Sequence, residues 1–154
     1  MEIGIVAVGK LRSYYRDAAD DYTRRLKRYV TLQEHEVKEA SHAPTVETQL
    51  ADEAKRLSSR LAPGTAVVAL TREGSAWSSR ELAAQLDRWL IASRPVALLI
   101  GGSTGLDPSL LARAESRWSL GPLTLPHELA RVVVLEQLYR AFTILRGEPY
   151  HKGP

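Results

Sequence analysis

The chain has 154 residues, 44% of them hydrophobic and 25% charged, with no cysteine and a formal net charge of +3. That length suits one domain, residues 1–154, with its own core, and no stretch approaches the roughly 20 apolar residues of a membrane-spanning helix. Lack of cysteine rules out disulfides, thiolate metal sites and a thiol nucleophile and suits a reducing cytoplasm, while the mild basicity permits a nucleic-acid partner without requiring one.

Residues 2–8, from Glu2 to Val8, read as a first strand, and nothing before them resembles a signal peptide. Ser13 to Val30 carries Tyr14, Tyr15, Ala18, Ala19, Tyr22, Leu26 and Tyr29 near helical spacing. Ser13 is the expected N-cap, with Arg16 where a capping-box acid would stand. The basic end, Arg24, Arg25, Lys27 and Arg28, fits either a solvated face that complements the helix dipole or a phosphate-contacting patch. Thr31 to Ala40 reads as a polar strand at a sheet edge. Val46 to Leu61 is an amphipathic helix with Leu50, Ala54, Leu57 and Leu61 on one stripe, stopped by Pro63-Gly64.

Thr65 to Leu70 is a continuous apolar run, as expected of a strand covered on both faces. A loop over 71–77 follows. Ser78 and Glu81 form a capping box opening a helix through Ile91. Val96 to Ile100 is a second buried strand. Asp107-Pro108 starts a helix to about Arg117, with aspartate as N-cap and proline in the first turn. After Pro126 a last helix runs to about Arg146, ended by Gly147 and Pro149. This alternation predicts an α/β fold with a mainly parallel sheet. Ligands of such sheets bind outside the carboxyl ends of the strands.

Three segments stand where such a ligand would sit. Gly101-Gly102-Ser103-Thr104-Gly105 follows a buried strand and lets backbone approach a ligand closely. It matches neither a P-loop nor the dinucleotide-binding glycine pattern, and taken alone it is also the signature of a simple turn. Leu120 to Pro126 is a glycine-proline loop whose backbone groups need not join a ladder. It suits either an adenine edge covered by leucines or a buried connector. The last helix is apolar nearly all round. Such a helix is buried on most sides, and packing against a second copy is the economical way to achieve that. His35 and His42 have no second ligand at metal spacing, and no metal constellation is present.

Taken together, Leu99-Ile100-Gly101-Gly102-Ser103-Thr104-Gly105-Leu106, Leu123-Thr124-Leu125-Pro126-His127, Arg131-Val132-Val133, Glu136 to Ala141 and Pro149-Tyr150-His151-Lys152 resemble the bacterial large-subunit ribosomal RNA pseudouridine-N3 methyltransferase family. That family belongs to the SPOUT class of S-adenosylmethionine (SAM) enzymes. The similarity spans essentially the whole chain, including Val6-Ala7-Val8-Gly9-Lys10. It implies a C-terminal trefoil knot and a homodimer. It implies a SAM site formed by Leu70, Gly101, Gly102, Leu120, Gly121, Pro122, Leu123, Thr124 and Leu125. The implied activity is methyl transfer to N3 of a pseudouridine; the small size and modest charge of the chain point to the assembled ribosome as substrate. Candidates for handling the departing proton and the developing uracil anion are His127, Arg131, Tyr150 and His151, with His151 able to act in a partner's site. His127 as a plain helix-end residue and Arg131 as a partner of Glu128, or of an RNA phosphate, are the competing readings. The functional alternatives are a SPOUT methyltransferase of another RNA nucleotide and a non-catalytic ribosome-associated binding protein.

Overall fold

The computed structural model describes residues 1–154. Five strands form one sheet: β1 (Glu2–Val8), β2 (Thr31–Val37), β3 (Ala66–Ser75), β4 (Val96–Ile100) and β5 (Ser116–Trp118). Their order across the sheet is β2-β1-β4-β3-β5, and every neighbouring pair is parallel. Five helices connect and cover them: α1 (Ser13–Leu26), α2 (Val46–Ser58), α3 (Ser79–Ala92), α4 (Pro108–Arg113) and α5 (His127–Arg146).

The continuous apolar runs explain the central strands. All five residues of β4 are buried, because alternate side chains feed two separate cores. Val96, Leu98 and Ile100 join Ile3, Ile5 and Val68 in a core shared with Ala19 of α1, Leu82 and Leu86 of α3, and Leu135 and Leu138 of α5. Ala97 and Leu99 join Val6, Val8 and Val67 in a smaller core with Ala54 and Leu57 of α2 and Leu110 of α4. Helices α1, α3 and α5 therefore cover one face, and α2 and α4 the other. The polar β2 is an edge strand, as its composition predicts.

Several boundaries differ from the sequence reading. The N-cap of α1 is Arg12, not Ser13, and no side chain of its own segment caps it. Glu128 of α5 holds Arg12 instead, its Oε1 accepting the Arg12 backbone N–H at 2.7 Å. Residues 71–75, expected as loop, extend β3. Beyond an irregularity after Leu70, Ser75 pairs with Trp118, and the lack of a side chain at Gly74 lets the two backbones close up, since a Cβ there would lie 2.6 Å from the Arg117 carbonyl carbon. Helix α4 ends at Arg113, and the residues expected to continue it become β5, anchored by Trp118 stacked on Trp77 with ring centroids 6.0 Å apart. Lastly, α1 and α2 stop three or four residues early in tight turns.

Helix α5 owes its burial to its own chain. It lies between α1 and α3, with Val134, Leu135, Leu138, Ala141 and Phe142 sealed in the core. A second copy is not needed to explain its apolar surface; what remains are Leu129, Val132, Val133 and Ile144, partly exposed, and Leu145, exposed.

A polar cluster fixes the first half of α5. Arg131 is 1% exposed. Its Nη1 donates to Glu34 Oε2 at 3.1 Å and to Glu36, and its Nη2 donates to the Gly9 carbonyl oxygen at 2.8 Å. Arg16 closes the cluster from α1, reaching Glu34 Oε1 at 2.9 Å and Glu36 Oε2 at 2.7 Å. The two guanidinium groups face the Glu34 and Glu36 carboxylates, and Asp20 meets Arg16 from its exposed side at 3.2 Å. Removing one partner of a buried ion pair leaves the others desolvated and unpaired. Arg131→Met is therefore expected to cost about 3 kcal/mol of stability, read as a lowered urea midpoint at unchanged m-value.

Candidate active site

A cavity of about 690 Å³ opens at the carboxyl ends of β3 and β4, where parallel sheets hold ligands. Its walls are Leu70 to Glu73, Ile100 to Leu106, Leu120 to Leu125, His127 and Ala130. The nine positions assigned to the cofactor from the sequence, Leu70, Gly101, Gly102, Leu120, Gly121, Pro122, Leu123, Thr124 and Leu125, all line this one space.

The lining is mostly backbone and aliphatic. Gly101 is held against Gly105, so closely that a side chain at 101 would collide with the Gly105 carbonyl. Gly105 itself has φ +83°, a conformation natural to glycine. In the opposite wall, Gly121 N–H donates to Ser119 Oγ at 3.1 Å, which pins the turn. The backbone N–H groups of Leu120, Leu123, Thr124 and Leu125 find no acceptor within the chain. Unpaired donors on a proline-stiffened loop are free for a ligand with acceptor atoms, such as a purine edge or a ribose. Arg72, Glu73 and His127 are the only ionisable side chains in the wall. Arg72 Nη1 donates to Thr124 Oγ1 at 2.9 Å and joins the β3 extension to the glycine-proline loop. Sequence reading took 71–77 as a loop and gave Arg72 and Glu73 no part. The signal was the polar Thr71-Arg72-Glu73 run directly after a buried strand.

Of the four candidates for acid–base work, His127 alone stands in the cavity wall. It is the first residue of α5, its ring forms no hydrogen bond within the chain, and its Nε2 faces Gly9, 3.7 Å from where a Cβ would stand. Arg131 is turned away into the cluster with Glu34 and Glu36. It pairs with neither Glu128 nor the cavity, and its geometry is that of a positioning residue. Glu128 belongs instead to Arg12, whose Nε donates to Oε2 at 2.8 Å.

Tyr150 and His151 lie at the other end of α5. Arg140, which the sequence reading did not count among the candidates, gathers them. Its Cζ stands 4.8 Å from the Tyr150 ring centroid, its Nη1 is 3.2 Å from His151 Nδ1, and its Nη2 is 2.5 Å from Glu136 Oε1. Arginine only donates, so His151 Nδ1 accepts and the proton resides on Nε2, which lies 3.0 Å from the Pro154 carbonyl oxygen. Burial, then the hydrogen bond with Tyr22, pushes the Tyr150 phenol well above its usual range. It stays protonated at neutral pH and donates to Glu136 Oε1 at 3.2 Å. Glu148, held by the Tyr29 hydroxyl at 2.6 Å, anchors the tail upstream. From His127 to Arg140 the helix rises about 20 Å, so this cluster is remote from the cavity of its own chain.

A parallel α/β sheet with a backbone-lined cavity at the ends of its central strands is the architecture of a nucleotide-cofactor enzyme. A family profile described as a predicted SPOUT methyltransferase matches residues 1–151, and the chain belongs to that family. More particularly, it is similar to proteins named ribosomal RNA large subunit methyltransferase H. That of Anaeromyxobacter sp. (strain Fw109-5) is 48% identical over 154 residues, covering 99% of this chain and 100% of the relative. Those of Stutzerimonas stutzeri and Pseudomonas putida are 41% and 39% identical over the same share of each chain. Among solved structures, a probable methylase family protein from Haemophilus influenzae Rd KW20 superposes with a TM-score of 0.55 at 15% identity, covering 98% of this chain and 70% of that one. At that identity the match speaks to the fold.

Glu128 predicts an acid response. Burial raises its carboxyl pKa, but hydrogen bonds from the Arg12 backbone and side chain, with the Arg12 charge, outweigh burial and hold it below the usual carboxylate range. A folded-state pKa below the unfolded one gives stability that is complete above about pH 4.3 and is lost as pH falls through the folded value. Glu128→Gln should flatten the acid limb of a stability-versus-pH curve, measured by denaturant titration between pH 3 and 6, and lower stability at neutral pH.

Proposed function

We propose that the protein methylates N3 of a pseudouridine in large-subunit ribosomal RNA, with SAM as donor, acting as a cytoplasmic homodimer on the assembled ribosome. The observation that carries this reading is the cavity itself. Leu120 and Leu123 to Leu125, whose backbone N–H groups are unpaired, line one space of nucleoside size together with a glycine turn, in a chain whose family is that of SPOUT methyltransferases. The relatives' names supply the RNA class.

The donor set fits SAM. Leu70, Leu120 and Leu125 offer apolar cover for an adenine, and the loop backbone offers donors to its ring nitrogens and to the ribose. Glu73 is the anionic group in the wall for a cationic ligand. When bound, SAM supplies a sulfonium-activated methyl group. The chain must then hold the uracil ring in line, take up the N3 proton and accommodate charge on the ring oxygens. His127, its ring free of internal hydrogen bonds, is the cavity's own candidate for the proton. Tyr150 is a donor rather than a base, suited to a ring oxygen. Arg140 holds Tyr150 and His151 as one unit, and Arg131 sets the start of α5.

The tail unit serves the partner's cavity in this reading, since about 20 Å of helix separates it from its own. Leu129, Val132 and Val133, partly exposed apolar residues in the first half of α5, belong to the dimer face. The trefoil knot is part of the same proposal. Its support is that the chain leaves α4 on one face, runs along the sheet edge as β5, and enters α5 on the opposite face through the segment 119–126 beside the 101–106 turn. A modestly charged chain of 154 residues has little surface with which to select one nucleotide from naked RNA, and this favours the assembled ribosome as substrate.

Two measurements test the proposal. Wild-type protein should methylate whole ribosomes faster than isolated large subunits or free RNA, with mass mapping locating the methyl group on N3 of pseudouridine. Equal rates on all three rule out the ribosome as the preferred form, and a methyl group on another nucleotide selects the alternative SPOUT activity. Gly101→Ala should abolish SAM binding in calorimetry, because the added carbon collides with the Gly105 carbonyl; unchanged binding would remove the cofactor from this cavity. No measurable SAM binding by the wild type would leave the non-catalytic ribosome-binding alternative.

A further inference from the structure

Next to the cavity stands a group of side chains that the cofactor site does not use. Arg12 lies across two tyrosines, its Cζ 5.3 Å from the Tyr14 ring centroid and 5.6 Å from that of Tyr15, and the two rings are 4.8 Å apart. Arg12 is fixed there. Its backbone N–H and its Nε are both held by the carboxylate of Glu128, which is 7% exposed. Its two Nη groups make no hydrogen bond within the chain. Tyr14 is 58% exposed, an unusual position for so large a ring. Lys10, two residues before Arg12, is exposed and unpaired.

The group adjoins the cavity through covalent neighbours. Glu128 follows His127, which lines the cavity, and Gly9 at the start of the same turn packs by the His127 ring. We infer that Tyr14, backed by Arg12 and Tyr15, is a stacking platform for one unpaired nucleobase flanking the modified nucleotide, whose phosphate is met by the free Nη groups of Arg12. This inference rests on the RNA-methyltransferase reading. Base stacking on an aromatic side chain is tolerant of sequence and needs a rigid ring with an open face. A guanidinium stacked on aromatic rings keeps its in-plane donors free for phosphate oxygens. Two rings and one guanidinium match the size of a single base. They fall well short of the roughly 800 Å² per partner that a stable protein interface buries, so a second copy of the chain is the poorer occupant.

The platform can be removed without touching the cavity. Tyr14→Ala should raise KM for the ribosomal substrate about tenfold, the fold-change that a lost base stack implies, with kcat within about twofold. SAM affinity should be unchanged in calorimetry. Tyr14→Phe and Tyr14→Trp, which keep a stacking face, should retain wild-type KM. An unchanged KM for Tyr14→Ala overturns the inference, as does failure of both aromatic variants to retain it. A KM rise that comes with loss of the dimer in light scattering also overturns it and makes a second copy the occupant. If wild-type protein transfers no methyl group at all, the methyltransferase reading fails by itself. Filter retention of a labelled single-stranded RNA oligomer then still judges the platform: equal retention by wild type and Tyr14→Ala overturns it, and loss of retention in Tyr14→Ala alone supports it.

Discussion

The buried guanidinium of Arg131 is the constraint on which the site's geometry depends. It sits in the second turn of α5 and simultaneously grips the edge strand through Glu34 and Glu36 and the end of β1 through the Gly9 carbonyl. Arg16 brings α1 into the same cluster. A helix packed only by aliphatic side chains could slide by a fraction of a turn at modest cost. Directional, charge-assisted hydrogen bonds in a desolvated setting resist such a shift. The beginning of α5 is thereby placed against the β1–α1 turn, and the loop that enters it becomes a cavity wall.

Around that fixed point, polar tasks are divided along one helix. At its start, His127 lines the cavity and Glu128 holds the N-cap N–H of α1 from outside, the place that a capping-box acid of α1 itself would have taken. At its far end, Glu136 and Arg140 arrange Tyr150 and His151. Between the two ends the helix is core, sealed between α1 and α3. The cavity between the strand ends uses little side-chain chemistry. What it offers a ligand are backbone N–H donors on loops stiffened by proline and opened by glycine, which shape a cavity without burying charge. Methyl transfer from an already activated donor needs positioning and a route for one proton more than it needs a strong acid or a metal.

Much of this was legible in the residues. The unbroken Val96 to Ile100 run announces a strand buried on both faces, and it lies at the centre of the sheet. The Ser78–Glu81 capping box and Asp107-Pro108 start their helices where expected, because those signals satisfy backbone groups within the same turn. The polar pattern of 31–37 marks an edge strand. Errors arise where the deciding partner is distant. Ser13 has the chemistry of an N-cap, yet α1 begins at Arg12, whose backbone N–H is held by Glu128, 116 residues away in sequence. Residues 71–75 have loop composition but become strand because β5 comes alongside.

The sequence by itself determined the alternating α/β order, the glycine and proline positions that open the cavity walls, and the all-round apolar character of α5, since each follows from local periodicity or the backbone limits of single residues. Only the tertiary structure decided what those elements meet. It assigned the burial of α5 to α1 and α3 of the same chain, gave Arg131 to Glu34 and Glu36 rather than to Glu128, and set the Tyr150–His151 tail far from its own cavity. The physical reason is that a charged side chain or an apolar face specifies the kind of partner it requires, while the identity of that partner is fixed by which distant segments the sheet order brings within hydrogen-bonding and van der Waals range.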